Sequence, residues 1–255
     1  MTQTAKVPRR AALFLTCSAD TLYPSVGRAC VAVFEACGVQ VEFPAAQTCC
    51  GQPWLNTGHP DEARRLARHF LEVFETAEAV VAPSASCVDT VRNRYPELFA
   101  EEPALRSRFE ALAGRTWEFC EFLHRALGVT GLPLLPAAAP VTYHSTCRTL
   151  RGVGLDGVAE TYLRQLYGDA FVPLPASDTC CGFGGSFCVK LPEISGRLLT
   201  DKLDAVTATG ATTVTALDLS CLTHLAGGAK HRGLDHLRFV HLAELIAEAV
   251  PGDRR

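Results

Sequence analysis

The chain repeats itself. Residues 43–53 read FPAAQTCCGQP and residues 174–184 read LPASDTCCGFG, so a shift of 131 lays Pro44 on Pro175, Thr48 on Thr179 and one Cys-Cys-Gly triplet on the other. Upstream, LTCSA around Cys17 matches STCRT around Cys147 at a shift of 130. Downstream, VVAPSASC ending at Cys87 matches VTALDLSC ending at Cys221 at a shift of 134. Each half therefore runs Cys, about 31 residues, Cys-Cys-Gly, about 36–39 residues, Ser-Cys. A duplication of this kind restricts the fold to two copies of one unit.

The local patterns repeat with it. AALFLTC (11–17) and PVTYHSTC (140–147) are apolar, β-rich runs that end on a cysteine. VQVEFP (39–44) and AFVPLP (170–175) read as short strands entering the triplets. A helix is expected after each triplet, over 60–77 and 192–210, with Pro60 and Pro192 in the first turn. AEAVVAPS and ATTVTALD read as buried strands, and 117–128 and 241–250 as the helices that close each half. Strands alternating with helices predict an α/β fold of two pseudo-twofold-related halves with mostly parallel sheets, 1–130 and 131–255. The Pro-rich stretch 131–140 reads as their joint. The repeated cysteines then fall at the C-terminal ends of strands, where open α/β sheets gather their ligands.

Length and charge narrow the class. The 255 residues carry 48% hydrophobic side chains and a net charge of −3, with no basic surplus to suggest nucleic acid and no charged tail. The apolar run AALFL is too short for a secretion signal, and no stretch reaches the ~18–20 apolar residues of a membrane span. The expectation is a cytoplasmic protein. There its twelve cysteines point to metal or redox chemistry rather than to disulfides.

Three readings compete for the cysteines. Zinc takes four thiolates at one tetrahedral ion, usually from C-x(2–4)-C pairs, and two adjacent cysteines on one ion make a strained chelate. Cysteines also serve as small buried hydrophobes. That suits Cys30, Cys37 and Cys120 on their helices but not the duplicated ones beside glycine. An iron–sulfur cluster offers several irons, so adjacent thiolates bind different irons without strain, and glycine lets backbone approach closely. The residues favour this reading: Cys17, Cys49, Cys50 and Cys87 in one half, Cys147, Cys180, Cys181 and Cys221 in the other. Up to two clusters would then be held.

The double motif, with TCSADTLYPSVG, VEFPAAQTCCGQPWLNTG, VAPSASC, TYHSTC, DTCCGFGGSF and DLSCL, resembles the lactate utilisation protein A family of CCG-domain, heterodisulfide reductase-like iron–sulfur proteins. The resemblance covers about residues 10–248. It implies an iron–sulfur electron-transfer component of a multi-subunit system that oxidises L-lactate to pyruvate. Partners would be a ferredoxin-type iron–sulfur protein and a third subunit. Related arrangements serve glycolate oxidase and heterodisulfide reductase-like enzymes. One departure is plain: the fullest CCG motif ends Cys-x-x-Cys, whereas here Thr90 and His224 stand at the fifth position. Four thiols suffice for a [4Fe-4S] cluster, and the missing fifth thiols argue against a chain that itself reduces or oxidises substrate.

The remaining candidates are these. His224, His144 and Cys188 are possible additional ligands, each with an ordinary reading as a capping, solvated or core group. Glycines 182, 184 and 185 lack the register of a dinucleotide or phosphate loop. Arg148 and Arg151 could grip a substrate carboxylate or be surface charges. His59 and Asp61 fit a helix start better than a catalytic pair.

Overall fold

A computed structural model describes residues 7–131 and 139–250. The first six residues and most of the Pro-rich joint lie outside it.

Two parallel sheets organise these residues. The first contains β1 (Arg10–Leu13), β2 (Gln40–Glu42), β3 (Val80–Ala82) and β4 (Thr116–Glu118) in the order β2-β1-β3-β4. The second contains β5 (Val141–Tyr143), β6 (Thr213–Ala216) and β7 (Arg238–His241) in the order β5-β6-β7. The registers correspond, with Ala12 opposite Val80 in one sheet and Val141 opposite Thr213 in the other. β3 and β6 are buried along their whole length, as central parallel strands must be.

The counterpart of β2 does not form. Only one bridge, Val141 to Phe171, stands where the sequence predicts a strand over 170–175. Pro173 and Pro175 remove two ladder donors there, so pairing stops after one residue.

The predicted helices after the triplets span Pro60–Phe74 and Pro192–Ala208, each with proline in its first turn. The predicted closing helices, 117–128 and 241–250, begin one or two residues late, because Trp117 and Glu118 belong to the outer strand β4 and His241 ends the outer strand β7. Glu118 and His241 end those strands and cap the helical turns behind them. Each accepts backbone N–H groups of its first turn, while Glu121 and Glu244 reach back to the cap residue's own N–H. The two capping boxes are a second duplicated feature, at a shift of 123.

The halves interlock. The helix Leu242–Ala249, which closes the second half, packs on Pro24–Ala36 of the first. Reciprocally, Phe119–Glu121, which starts the closing helix of the first half, packs on Val158–Tyr167 of the second. One hydrophobic core consequently runs through both, from Phe14, Phe34 and Phe70 to Tyr143, Leu163 and Leu245. Several of its aromatics meet edge-on, as Phe14 and Phe70 do at 4.8 Å between centroids, an arrangement contributing about 0.5–1.5 kcal/mol per pair beyond burial.

A polar seam marks the axis between the halves. Ser84 and Asp218 are equivalent under the repeat, and the Ser84 hydroxyl donates to Asp218 Oδ1 at 2.9 Å. Asp218 also accepts from Ser86 N (3.0 Å) and from Thr146 Oγ1 (2.7 Å). Nearby, Arg148 donates to buried Asp89 at 2.6 Å. Equivalent residues touching each other is what a twofold relation requires at its axis.

Candidate metal centres

Parallel strands deliver the cysteines of the first half to one kind of edge. Cys17 lies four residues beyond β1, the Cys49-Cys50 pair follows β2, and Cys87 sits in the short helix Ala85–Asp89 after β3. Side chains tie these loops down. Gln47 accepts from Leu15 N (2.8 Å) and donates to Leu13 O (3.1 Å), which fixes the triplet loop to the end of β1. Gln52 donates to Ser86 O at 3.3 Å, and the buried Tyr95 hydroxyl donates to Cys50 O at 2.8 Å. Ser84 caps the Cys87 helix by accepting from Cys87 N.

The sulfurs consequently meet. Cys17 and Cys49 Sγ are 3.8 Å apart, and Cys50 and Cys87 Sγ 3.5 Å apart. Because Cys49 and Cys50 are adjacent in the chain, these two contacts bring all four sulfurs of the first half together. In the second half the Cys181 and Cys221 sulfurs lie within 4.8 Å of each other, and Cys147 and Cys180 stand at the equivalent positions of the repeat. All eight are free thiols. Each set grades from a buried end, Cys50 with Cys87 or Cys181 with Cys221, to a more accessible one at Cys17 or Cys147.

Crowding splits the acidities. Cys49 is pulled well below the ordinary thiol range because it accepts from Cys17, from Cys50 and from Gly51 N–H. Cys180 is pulled down in the same way by Cys147, Cys181 and Gly182 N–H. Their donors are pushed up in return. In each set one lowered thiol sits among raised ones, and metal binding would displace the protons the set holds.

The donor sets fit an iron–sulfur cluster. Four thiols from three loops converge in each half, and backbone N–H groups already point at sulfur, Gly51 N to Cys49 Sγ at 3.4 Å and Gly182 N to Cys180 Sγ at 3.3 Å. Such bonds are among the levers that set cluster potentials. The glycines are required: Gly51 (φ 78°) and Gly182 (φ 92°) hold left-handed backbone. A Cβ on Gly182 would meet Ser195 O at 2.6 Å.

The additional candidates separate. His144 is fully buried, shares a space less than 4.8 Å across with the sulfurs of Cys181 and Cys221, and finds no hydrogen-bond partner for either ring nitrogen among the described residues. Burial holds its pKa down at about 3, helped by nearby Lys202. His224 is only partly buried, with Nε2 3.5 Å from Ser195 Oγ and its ring beside Phe183. The Cys188 thiol donates to Gly185 O at 3.1 Å. Thr90 Oγ1 donates to Ser86 O, four residues back in its own helix. Arg148 donates to Asp89, and Asp61 pairs with Arg64 at 2.7 Å. Lys202 escaped sequence reading because it looks like any helix lysine. Its equivalence to an apolar position of the first half was the available signal.

Comparison with known proteins places this arrangement. The cysteine-rich domain family CCG matches twice, over residues 11–92 and 141–226. The chain is 41% identical over 242 residues to a lactate utilization protein A of Exiguobacterium sp., covering 94% of this chain and 97% of that one. It is 38% identical to the protein of the same name from Bacillus pumilus (92% and 97% covered) and 37% identical to that of Oceanobacillus iheyensis (93% and 96%).

Proposed function

The chain belongs to the lactate utilization protein A family, and from that premise we propose that it is an iron–sulfur electron carrier in a multi-subunit system oxidising L-lactate to pyruvate. Cys17, Cys49, Cys50 and Cys87 hold one [4Fe-4S] cluster, and Cys147, Cys180, Cys181 and Cys221 hold a second. The observation that carries this reading is the close approach of the sulfurs, 3.8 Å for Cys17 and Cys49, 3.5 Å for Cys50 and Cys87 and within 4.8 Å for Cys181 and Cys221, built around adjacent cysteines that one zinc ion accommodates poorly. When bound, such a cluster accepts and returns one electron at a time.

The chain's own residues do the rest. The thiols give up their protons on loading. Gly51 and Gly182 N–H groups orient Cys49 and Cys180 and stabilise charge on sulfur. The buried aromatics behind Cys50 exclude water, and exposed Cys17 offers a surface edge for exchange with a partner. Partner subunits, a ferredoxin-type iron–sulfur protein among them, contact lactate and pass on its electrons. The carrier works in the cytoplasm on this reading. Among the described residues no helix is long and apolar enough to cross a membrane.

The test is optical. L-Lactate added to the loaded chain alone should leave its visible absorption unchanged, whereas adding the partner subunits should bleach it. Bleaching by lactate without partners would make this chain the lactate-oxidising enzyme and overturn the carrier role.

A further inference from the structure

The two cysteine sets rest on different floors. In the first half the floor is hydrocarbon: Phe14 and Phe70, both buried, meet edge-on. The repeat lays Phe14 on His144, each three residues before the first cysteine of its set. The glycine of each triplet fixes the register of the long helix behind it. Gly51 faces Ala63 and Leu66, and Gly182 faces Ser195 and Leu198, a constant offset of 132. That offset lays Phe70 on Lys202. An aromatic pair has become an imidazole and an ammonium.

Lys202 is 2% exposed, and its Nζ donates to Ala176 O (2.7 Å) and Ser177 O (3.4 Å). Both carbonyls belong to the loop that carries Cys180 and Cys181, which holds the ammonium beside the second set. His144 brings a ring nitrogen within 4.8 Å of the sulfurs of Cys181 and Cys221, and neither of its ring nitrogens has a hydrogen-bond partner among the described residues. The first set has no counterpart to either.

We infer that the second cysteine set is the electron-accepting end of the pair, because Lys202 and His144 stabilise added negative charge there and raise its reduction potential above that of the first. This rests on the iron–sulfur reading. A charge out of water acts strongly on its neighbours, and net charge is one of the main determinants of cluster potential. The nearby anions do not cancel it. Asp178 is solvent-exposed, where screening is effective. Asp218 lies on the seam, where three hydrogen bonds, from Ser84 and Ser86 of one half and Thr146 of the other, spread its charge. The step is one electron leaving the reduced first set for the oxidised second, with no bond made or broken and no proton moved. Lys202 acts through its charge, and His144, whose ring is neutral, through its dipole alone.

A redox titration followed by electron paramagnetic resonance on the full, iron-loaded chain tests this. The wild type should show two midpoint potentials. Lys202→Met should lower the upper one and leave the lower one in place, with iron and sulfide content unchanged. His144→Phe, which gives the second half the residue of the first, should lower the same midpoint by less. Coincident midpoints in the wild type, or a Lys202→Met shift confined to the lower midpoint, would overturn the inference while leaving the clusters standing. Should Lys202→Met fail to fold, an unmoved upper midpoint in His144→Phe overturns it. A chain that takes up no iron overturns both this inference and the reading beneath it.

Discussion

Asp218 shows how one residue can join two halves of a chain. Its carboxylate accepts three hydrogen bonds, two from the first half and one from the second, and it is almost wholly buried. Asp218→Ala strands the Ser84 and Thr146 hydroxyls and Ser86 N–H in a dry seam. The expected loss is about 3 kcal/mol in urea unfolding, with Asp218→Asn milder because the amide oxygen still accepts. Glu118 makes a second prediction. Burial pushes its carboxyl up to about 8, above the ordinary value of 4.5. The folded state therefore binds that proton more tightly than the unfolded chain. Its stabilisation is complete below the ordinary carboxyl range and is lost as pH rises through about 8. Unfolding free energy should fall between about pH 5 and 8 at up to roughly 1.4 kcal/mol per pH unit, and Glu118→Gln should flatten that slope. A slope unchanged in Glu118→Gln would refute the assignment. At this level the eight repeated cysteines were legible because their chemistry lies in their identity and spacing. The His144–Lys202 pair was not, since its members are far apart in sequence and only the fold brings them to the same sulfurs.

Elements repeat less faithfully than cysteines. The strands β1, β3, β5 and β6 were readable from apolar runs ending before a cysteine or Ser-Cys. β4 and β7 were hidden at the heads of helix-like patterns, and what separates strand from helix there is a side-chain cap at Glu118 or His241 that periodicity does not register. The expected strand at 170–175 yielded to its two prolines. The triplet loops are likewise similar but not equally tight. A Cβ on Gly51 meets its nearest neighbours at 3.4 Å, whereas one on Gly182 meets a backbone carbonyl at 2.6 Å. Gly182→Ala should therefore cost about 3 kcal/mol and Gly51→Ala about 1 kcal/mol, read as shifts in thermal midpoint. Equal effects would mean that the helix behind the second triplet yields more readily than its packing indicates.

Across the whole molecule the duplication is legible in the sequence, but the way its copies combine is not. Each closing helix lies on the other half, and the principal core crosses the boundary between them. The chain should therefore unfold in one transition, and residues 1–130 alone should lack cooperative unfolding by circular dichroism, because their partner helix Leu242–Ala249 is missing. The same exchange ties the two cysteine sets into one body: Cys87 and Cys221 each lie three residues from the Ser84–Asp218 hydrogen bond. Everything proposed about electron transfer depends on what those sets hold. Quantifying iron, acid-labile sulfide and zinc in the chain after anaerobic purification and reconstitution decides it. Two four-iron clusters require about eight irons and eight sulfides per chain, with Cys50→Ser and Cys181→Ser each losing about half. A colourless protein with stoichiometric zinc, or with neither iron nor sulfide after reconstitution, would contradict the account.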